Sequence, residues 1–235
     1  MKKIIFSILT LFIIESVFSQ NKKINIGIDF GPNYSYFKKN SFDKNSNHPV
    51  SRFSSGLSIN CLISKHFSVE TSLSYEQKGD KTDYYHTYLA SAFPPFIYDE
   101  WRYISRFSYL TNSIFLKATF GKKNEYFVNT GGYISYLLSK KIIRQSKYFQ
   151  EEIYDYPDYS DAYIKHYDYG IIVGMGVSRF INERIAISLE LRNNIGICDI
   201  MDQEKGWNYK KTLKTNTFNL LYGVKYFFKL RQATK

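Results

Sequence analysis

The stretch Ile185-Ala186-Ile187-Ser188-Leu189-Glu190-Leu191-Arg192 decides the fold. Its odd positions are large and aliphatic; its even positions are small, polar or charged. Apolar residues at every second position line one face of a β-strand, whereas a helix would repeat them at three and four. The same period recurs at Phe218, Leu220, Tyr222, Val224, Tyr226 and Phe228, set against Asn219, Gly223 and Lys225. It recurs at Phe67, Val69, Leu73 and Tyr75 against Glu70, Ser72, Ser74 and Glu76, and at Ile24, Ile26, Ile28 and Phe30 against Asn25, Gly27, Asp29 and Gly31.

Working outward from these strands, strand-like runs cover 24–36, 52–64, 67–79, 106–120, 125–138, 167–180, 185–197 and 214–228. The fourth and fifth alternate less cleanly, and their faces stay unassigned. The connections alternate in length. Those at 37–51, 80–105, 139–166 and 198–213 are long, and those at 65–66, 121–124 and 181–184 are tight. In an up-and-down meander this puts every long loop at one end, with the tight turns and both termini at the other. Structureless loops as long as 80–105 and 139–166 are unusual in a compact soluble domain. They are expected on the outer side of a transmembrane barrel, whose periplasmic turns are short.

The composition agrees. Forty-four percent of the 235 residues are hydrophobic and 23% charged, too balanced for a disordered chain. No apolar run beyond the first twenty residues is long enough for a helical span. Aromatic residues make up 18% and gather near strand ends. Tyr34, Tyr36, Tyr75, Tyr109, Tyr136 and Tyr169 lie toward the long loops, and Phe67, Phe120, Tyr126, Phe180, Tyr226 and Phe228 toward the tight turns, as two interfacial belts would. Lys2 and Lys3 precede an apolar stretch and Val17-Phe18-Ser19, which reads as a signal peptide over 1–19 followed by one barrel domain over 20–235. Its removal takes out Lys2, Lys3 and Glu15 and lowers the net charge of +11 by one.

These readings give an all-β fold, an eight-stranded antiparallel up-and-down transmembrane β-barrel in the cell outer membrane. A soluble lipocalin-like barrel with its apolar face inward is the rival, since alternation alone does not separate inside from outside. The segregated loops, the belts and the charges favour the membrane. Glu70, Glu76, Glu190, Arg192 and Lys225 would be costly against lipid and are expected as a polar cluster in the lumen.

Several pieces of the mature chain resemble one family. They are Ile26-Gly27-Ile28-Asp29-Phe30-Gly31-Pro32-Asn33-Tyr34-Ser35, then Gly56-Leu57, then Leu73-Ser74-Tyr75-Glu76-Gln77-Lys78-Gly79, close to "L-x-Y-x-x-K-G". Tyr109-Leu110 through Leu116-Lys117, Gly131-Gly132-Tyr133-Ile134-Ser135-Tyr136-Leu137-Leu138, and Tyr169-Gly170 through Gly174-Met175-Gly176 follow in order. Together they resemble the outer-membrane β-barrel family of the Bacteroidota, the PorT-like group also labelled porin family proteins. The chain departs from that pattern at Ser113, where the family often has Pro, and in the tail 229–235 beyond the terminal aromatic. The resemblance implies an eight-stranded barrel and no single function.

Chemistry is sparse. His48, His66, His86 and His166 fall in three outer loops and one periplasmic turn, without a local nucleophile motif. HExxH, CxxC and phosphate-loop patterns are absent, and no cofactor or metal is expected. Gly170, Gly174 and Gly176 lie within a strand and suit a crowded lumen or a bend. Cys61 and Cys198 are expected as isolated thiols. Five carboxylates within 151–161 read as a solvated acidic loop rather than a calcium site. Lys140, Lys141, Arg144 and Lys147 would meet lipopolysaccharide phosphates at the outer rim. Phe96, Tyr98 and Trp101, in the third connection, are candidates for a loop surface that holds a protein or glycan.

The leading expectation is a non-enzymatic, monomeric barrel with a structural or interaction role through its long outer loops. Its partners would be outer-membrane lipid and lipopolysaccharide, and not nucleic acid. A passive small-solute pore and a rim enzyme acting on lipid stand as alternatives.

Overall fold

A computed structural model describes residues 24–39, 47–88, 97–121, 124–146, 152–154, 164–201 and 212–228. Its strands in chain order are β1 (Ile24–Lys39), β2 (Asn47–His48), β3 (Val50–Leu62), β4 (Phe67–Lys78), β5 (Lys81–Tyr88), β6 (Ile97–Gly121), β7 (Asn124–Ser146), β8 (Glu152–Tyr154), β9 (Tyr167–Phe180), β10 (Ile185–Gly196) and β11 (Leu213–Phe228). The long strands form a ring in the order β1-β3-β4-β6-β7-β9-β10-β11, every pairing antiparallel. Strands β1 and β11 close it, from Ile24 opposite Phe228 to Lys39 opposite Leu213. Closure leaves no sheet edge, so backbone groups are paired without water.

Burial settles which face is inside. On β10, Glu190 is 2% exposed, while its neighbour Leu191 is 57% exposed. The polar residues Asn25, Asp29 and Asn33 of β1 are buried, and Ile26, Ile28 and Phe30 between them are exposed. The apolar face therefore points outward on strand after strand, which excludes the lipocalin-like arrangement. The stretch of β11 from Phe218 to Phe228 rises about 25 Å at a tilt of roughly 40°. That is the height of the apolar band of an outer-membrane barrel. No helix among the described residues is long and apolar enough to cross a membrane; the strands do the crossing.

The structure departs from the sequence reading at the long-loop end. Strands β6 and β7 run for 25 and 23 residues, far past the expected 106–120 and 125–138. The stretches 81–88 and 97–105, expected as loop, form a hairpin in which Lys81 opposes Ile104 and Tyr88 opposes Ile97. Beyond the barrel, β2, β5, β6, β7 and β8 thus continue as a sheet. A register shift at Ser108/Tyr109 marks the boundary. On the neighbouring strand Gly79-Asp80 separates β4 from β5, and the Ser105 N–H donates to the Asp80 carbonyl at 2.9 Å. A Cβ on Gly79 would lie 2.0 Å from the Ser105 carbonyl oxygen, so only glycine lets the chains approach there. The extension has no hydrocarbon on either side to impose an alternation, and for that reason the sequence pattern does not announce it.

Two residues assigned to the belts are inward instead. Tyr109 is fully buried. Phe180 lines the tight-turn mouth and packs on Phe227, with ring centroids 5.0 Å apart. Other belt residues, such as Tyr34, Tyr126 and Phe120, face outward.

Candidate functional site

The lumen is filled by three layers. Nearest the tight turns, Glu70 Oε2 accepts from Lys117 Nζ and Lys225 Nζ, each at 3.2 Å, and from Asn60 Nδ2 at 3.0 Å. Lys117 Nζ also lies 3.6 Å from the centroid of the Phe127 ring. One register step further along, Arg192 Nε donates to Glu190 Oε1 at 2.7 Å, and Asn129 Nδ2 donates to the same oxygen at 3.0 Å. The Arg192 guanidinium stands 4.6 Å over the Phe115 ring. Asp29 Oδ2 accepts from Ser58 Oγ at 3.0 Å. Three cations thus face three carboxylates, and aromatic faces take up cation surface that no carboxylate covers.

The second charged layer lies toward the long loops. Lys78 Nζ donates to Asp168 Oδ2 at 2.8 Å and stands 3.7 Å from Glu76 Oε2. Asp168 Oδ2 also accepts from Thr215 Oγ1 at 2.7 Å and from the Tyr133 hydroxyl at 3.3 Å. Glu76 accepts from Asn194 Nδ2 at 2.9 Å and from Thr111 Oγ1 at 3.2 Å. The ammonium is 4.5 Å from the Tyr133 ring centroid and 5.0 Å from that of Tyr109. Lys78 and Asp168 are both fully buried. A pair this deep needs further hydrogen bonds to be tolerated; here they reach Asp168 Oδ2 and both Glu76 oxygens, while Asp168 Oδ1 has no hydrogen-bond partner among the described residues.

Above Lys78 the third layer is apolar. Phe37, Phe107, Tyr109, Leu137, Ile200 and Leu213 form one cluster, with Ile142, Ile164 and Met201 against it. The long-loop mouth is therefore stoppered by side chains. The opposite mouth holds a vestibule of about 160 Å³ that ends at Lys117 and Lys225.

The expected lumen residues are all buried, but they do not form one cluster. Glu70, Glu190, Arg192 and Lys225 share the lower layer, and Glu76 belongs to the upper one. Lys78, Lys117 and Asp168 were missing from the expected set. The first could have been found from the face it shares with Glu70 and Glu76. Lys117 sits on a strand that carries aromatics inward, where alternation fails, and Asp168 stands at the second position of its strand. The glycines of β9 make room for this filling. A Cβ on Gly174 would meet Asn129 Oδ1 at 2.3 Å, and one on Gly176 would meet the Phe127 ring at 2.4 Å.

The sequence pattern of the outer membrane protein beta-barrel domain family matches residues 18–202. The chain belongs to that family. Its barrel is similar in fold to OprG from Pseudomonas aeruginosa, at 12% identity and TM-score 0.46, covering 89% of this chain and 97% of that one. It is similar to Escherichia coli outer membrane protein W, at 11% identity and TM-score 0.43, covering 87% and 97%. It is similar also to the E. coli outer membrane protease OmpT, at 8% identity and TM-score 0.38, covering 90% and 100%. No curated protein matches by sequence.

In this family member the histidines are scattered. His48 lies 3.9 Å from Asp83, the His66 ring contacts the Thr119 carbonyl at 3.2 Å, and His166 stacks on Tyr136. The side chain of His86 lies outside the described residues. Among the described residues no histidine ring is hydrogen-bonded to a serine or cysteine side chain, and no group of metal-ligating residues assembles. Cys61 and Cys198 are free thiols, and burial pushes the Cys198 thiol up. Of the expected loop surface, Phe96 and the side chain of Tyr98 lie outside the described residues. Trp101 is on β6 rather than in a loop and is 5% exposed, its ring covered by the Arg144 guanidinium at 3.6 Å. An indole stacked under a cation inside the sheet is not an open surface. Arg144, expected at the rim, is the residue that covers this ring. The expected signal peptide over 1–19, Lys147 and most of the acidic segment 151–161 also lie outside the described residues.

Proposed function

We propose that this protein is a non-conducting, non-enzymatic outer-membrane barrel that anchors an interaction surface outside the cell. One observation carries the reading. The lumen is packed across its section by two hydrogen-bonded charge layers and an apolar stopper. A solute path would have to break buried ion pairs, each held by several hydrogen bonds. What such a barrel offers to its surroundings is its outer end. There β5 and the far halves of β6 and β7 stand beyond the register shift at Ser108/Tyr109 as a paired sheet.

The segment resemblance supports a finer assignment to the PorT-like group of the Bacteroidota, with an N-terminal signal peptide over 1–19. Closure supports a monomer, since every long strand already has both neighbours. Phe96 and Tyr98 remain candidates for contacting a protein or glycan.

Conductance across a planar bilayer tests the reading. Purified, folded protein is expected to give no steady single-channel steps. A reproducible open state of defined conductance would replace it with the small-solute pore.

A further inference from the structure

The vestibule of about 160 Å³ at the tight-turn mouth is lined by two unlike sets of side chains. Phe127, Phe180 and Phe227 give it an aromatic wall, and the last two pack ring to ring. Lys117 and Lys225 form its floor, with Asn25 and Ser178 beside them. These residues are inward positions of β1, β6, β7, β9 and β11 near the tight turns. An apolar wall with a few convergent polar groups is the usual build of a small-molecule site.

The polar set consists of donors with capacity to spare. Lys117 and Lys225 share the single oxygen Glu70 Oε2, so each ammonium spends one of its three N–H groups there. Glu70 itself does not line the cavity, and Asp29 and Glu190 are held deeper, by Ser58 and by Arg192. Two cations over one carboxylate leave the floor with one positive charge in excess. Asn25 is 3% exposed, yet its side chain makes no hydrogen bond among the described residues. Its Oδ1 is buried without a partner, which leaves Nδ2 as the atom turned to the cavity. The Ser178 hydroxyl, on another buried residue of the lining, also has no partner among the described residues. A buried polar group left unpaired is costly, and an acceptor in the vestibule would complete these two.

We propose that the vestibule is a binding site for an aromatic monocarboxylate, which enters from the periplasmic side, sets its carboxylate on Lys117, Lys225 and Asn25, and lays its ring against Phe127, Phe180 and Phe227. Charge-assisted hydrogen bonds from the two ammoniums select the ionised acid over a neutral analogue. A single negative charge matches the excess on the floor, whereas a phosphate dianion exceeds it. Glu125 and Glu183 line the cavity as well, on the side of the tight turns, and disfavour a ligand with a second carboxylate. The ring gains offset or edge contacts with the three phenylalanines. This goes beyond the anchoring role, because it concerns the opposite end of the barrel and holds whether or not the outer end meets a partner.

Fluorine NMR titration of para-fluorobenzoate into the folded full chain in detergent, against empty micelles, tests this. Saturable binding at one site per chain is expected, with para-fluorobenzyl alcohol and inorganic phosphate binding far more weakly. Lys225→Met should weaken para-fluorobenzoate by roughly tenfold. Asn25→Leu and Phe180→Ala should each weaken it several-fold, and Lys38→Gln, at the far end of β1, should leave it unchanged. Heat-dependent gel migration establishes that each variant is folded. If Lys225→Met fails that check, Asn25→Leu and Phe180→Ala carry the test, since neither removes a charge from the lumen. Absence of saturable binding would overturn the proposal. So would equal binding of the alcohol, displacement by inorganic phosphate at the same concentration, or unchanged affinity in the folded vestibule variants.

Discussion

Lys78 concentrates the physics of the lumen in one side chain. Its ammonium is fully buried, bonded to Asp168, close to Glu76 and flanked by two tyrosine rings. Replacing both members of such a pair by apolar groups can be nearly neutral, while removing one strands the other. Lys78→Met leaves Asp168 and Glu76 facing each other without a cation, and is expected to cost about 3–5 kcal/mol. Lys78→Met with Asp168→Asn should recover a large part of that loss. Urea unfolding in lipid vesicles, followed by the folded band on an unboiled gel, measures both; equal midpoints for the single variant and the parent would refute the pairing. Lys117 and Lys225 differ from Lys78 because they share Glu70. Either alone still neutralises that carboxylate, so Lys225→Met should be clearly milder than Lys78→Met.

Among the elements, β10 and β11 were legible from their sequences because lipid lies on one side and polar filling on the other. Their alternation reports that contrast directly. Strands β6 and β7 were not, for a physical reason. Phe115, Phe127, Tyr109 and Tyr133 point inward to serve Lys117, Arg192 and Lys78, so both faces carry large apolar side chains and the contrast vanishes. The outer halves of the same strands are not legible because no hydrocarbon opposes polar filling there, and apolar residues such as Trp101 and Ile143 are buried within the extension itself. The lumen site was half legible. Glu70, Glu190, Arg192 and Lys225 follow from parity on clean strands, whereas Asp168 begins a strand and Lys117 lies on an unclean one. The extension has a direct test at this scale. In a background with Cys61→Ser and Cys198→Ser, Arg102→Cys on the outer half of β6 should react with a membrane-impermeant maleimide on intact cells. Leu191→Cys, on the lipid face of β10, should not. Labelling of Leu191→Cys alone would invert the assignment of the faces, and protection of Arg102→Cys would place the extension on the periplasmic side.

For the whole molecule, the order of layers along the axis determines what opening the barrel would require. The apolar stopper sits over the Lys78 layer, and the single layer that holds Glu190, Arg192 and Glu70 lies below it. Each spans from one wall to another: Lys78 joins β4 to β9, and Lys225 joins β11 to Glu70 on β4. These links cross strands that are not neighbours in the ring, so they brace the barrel as well as fill it. A gate works when one element blocks an otherwise open path. Here the stopper is only the first of three barriers, and removing it exposes charge layers whose own hydrogen bonds are intact. Phe37→Ala with Phe107→Ala is therefore expected to lower stability, by roughly 3–5 kcal/mol for each buried ring removed, and to leave the protein non-conducting in a planar bilayer. Steady conductance from that double variant, in protein that still shows the fast-migrating unboiled band, would mean that the charge layers part readily. The stopper would then be a true gate, and the molecule a closed pore rather than a filled anchor.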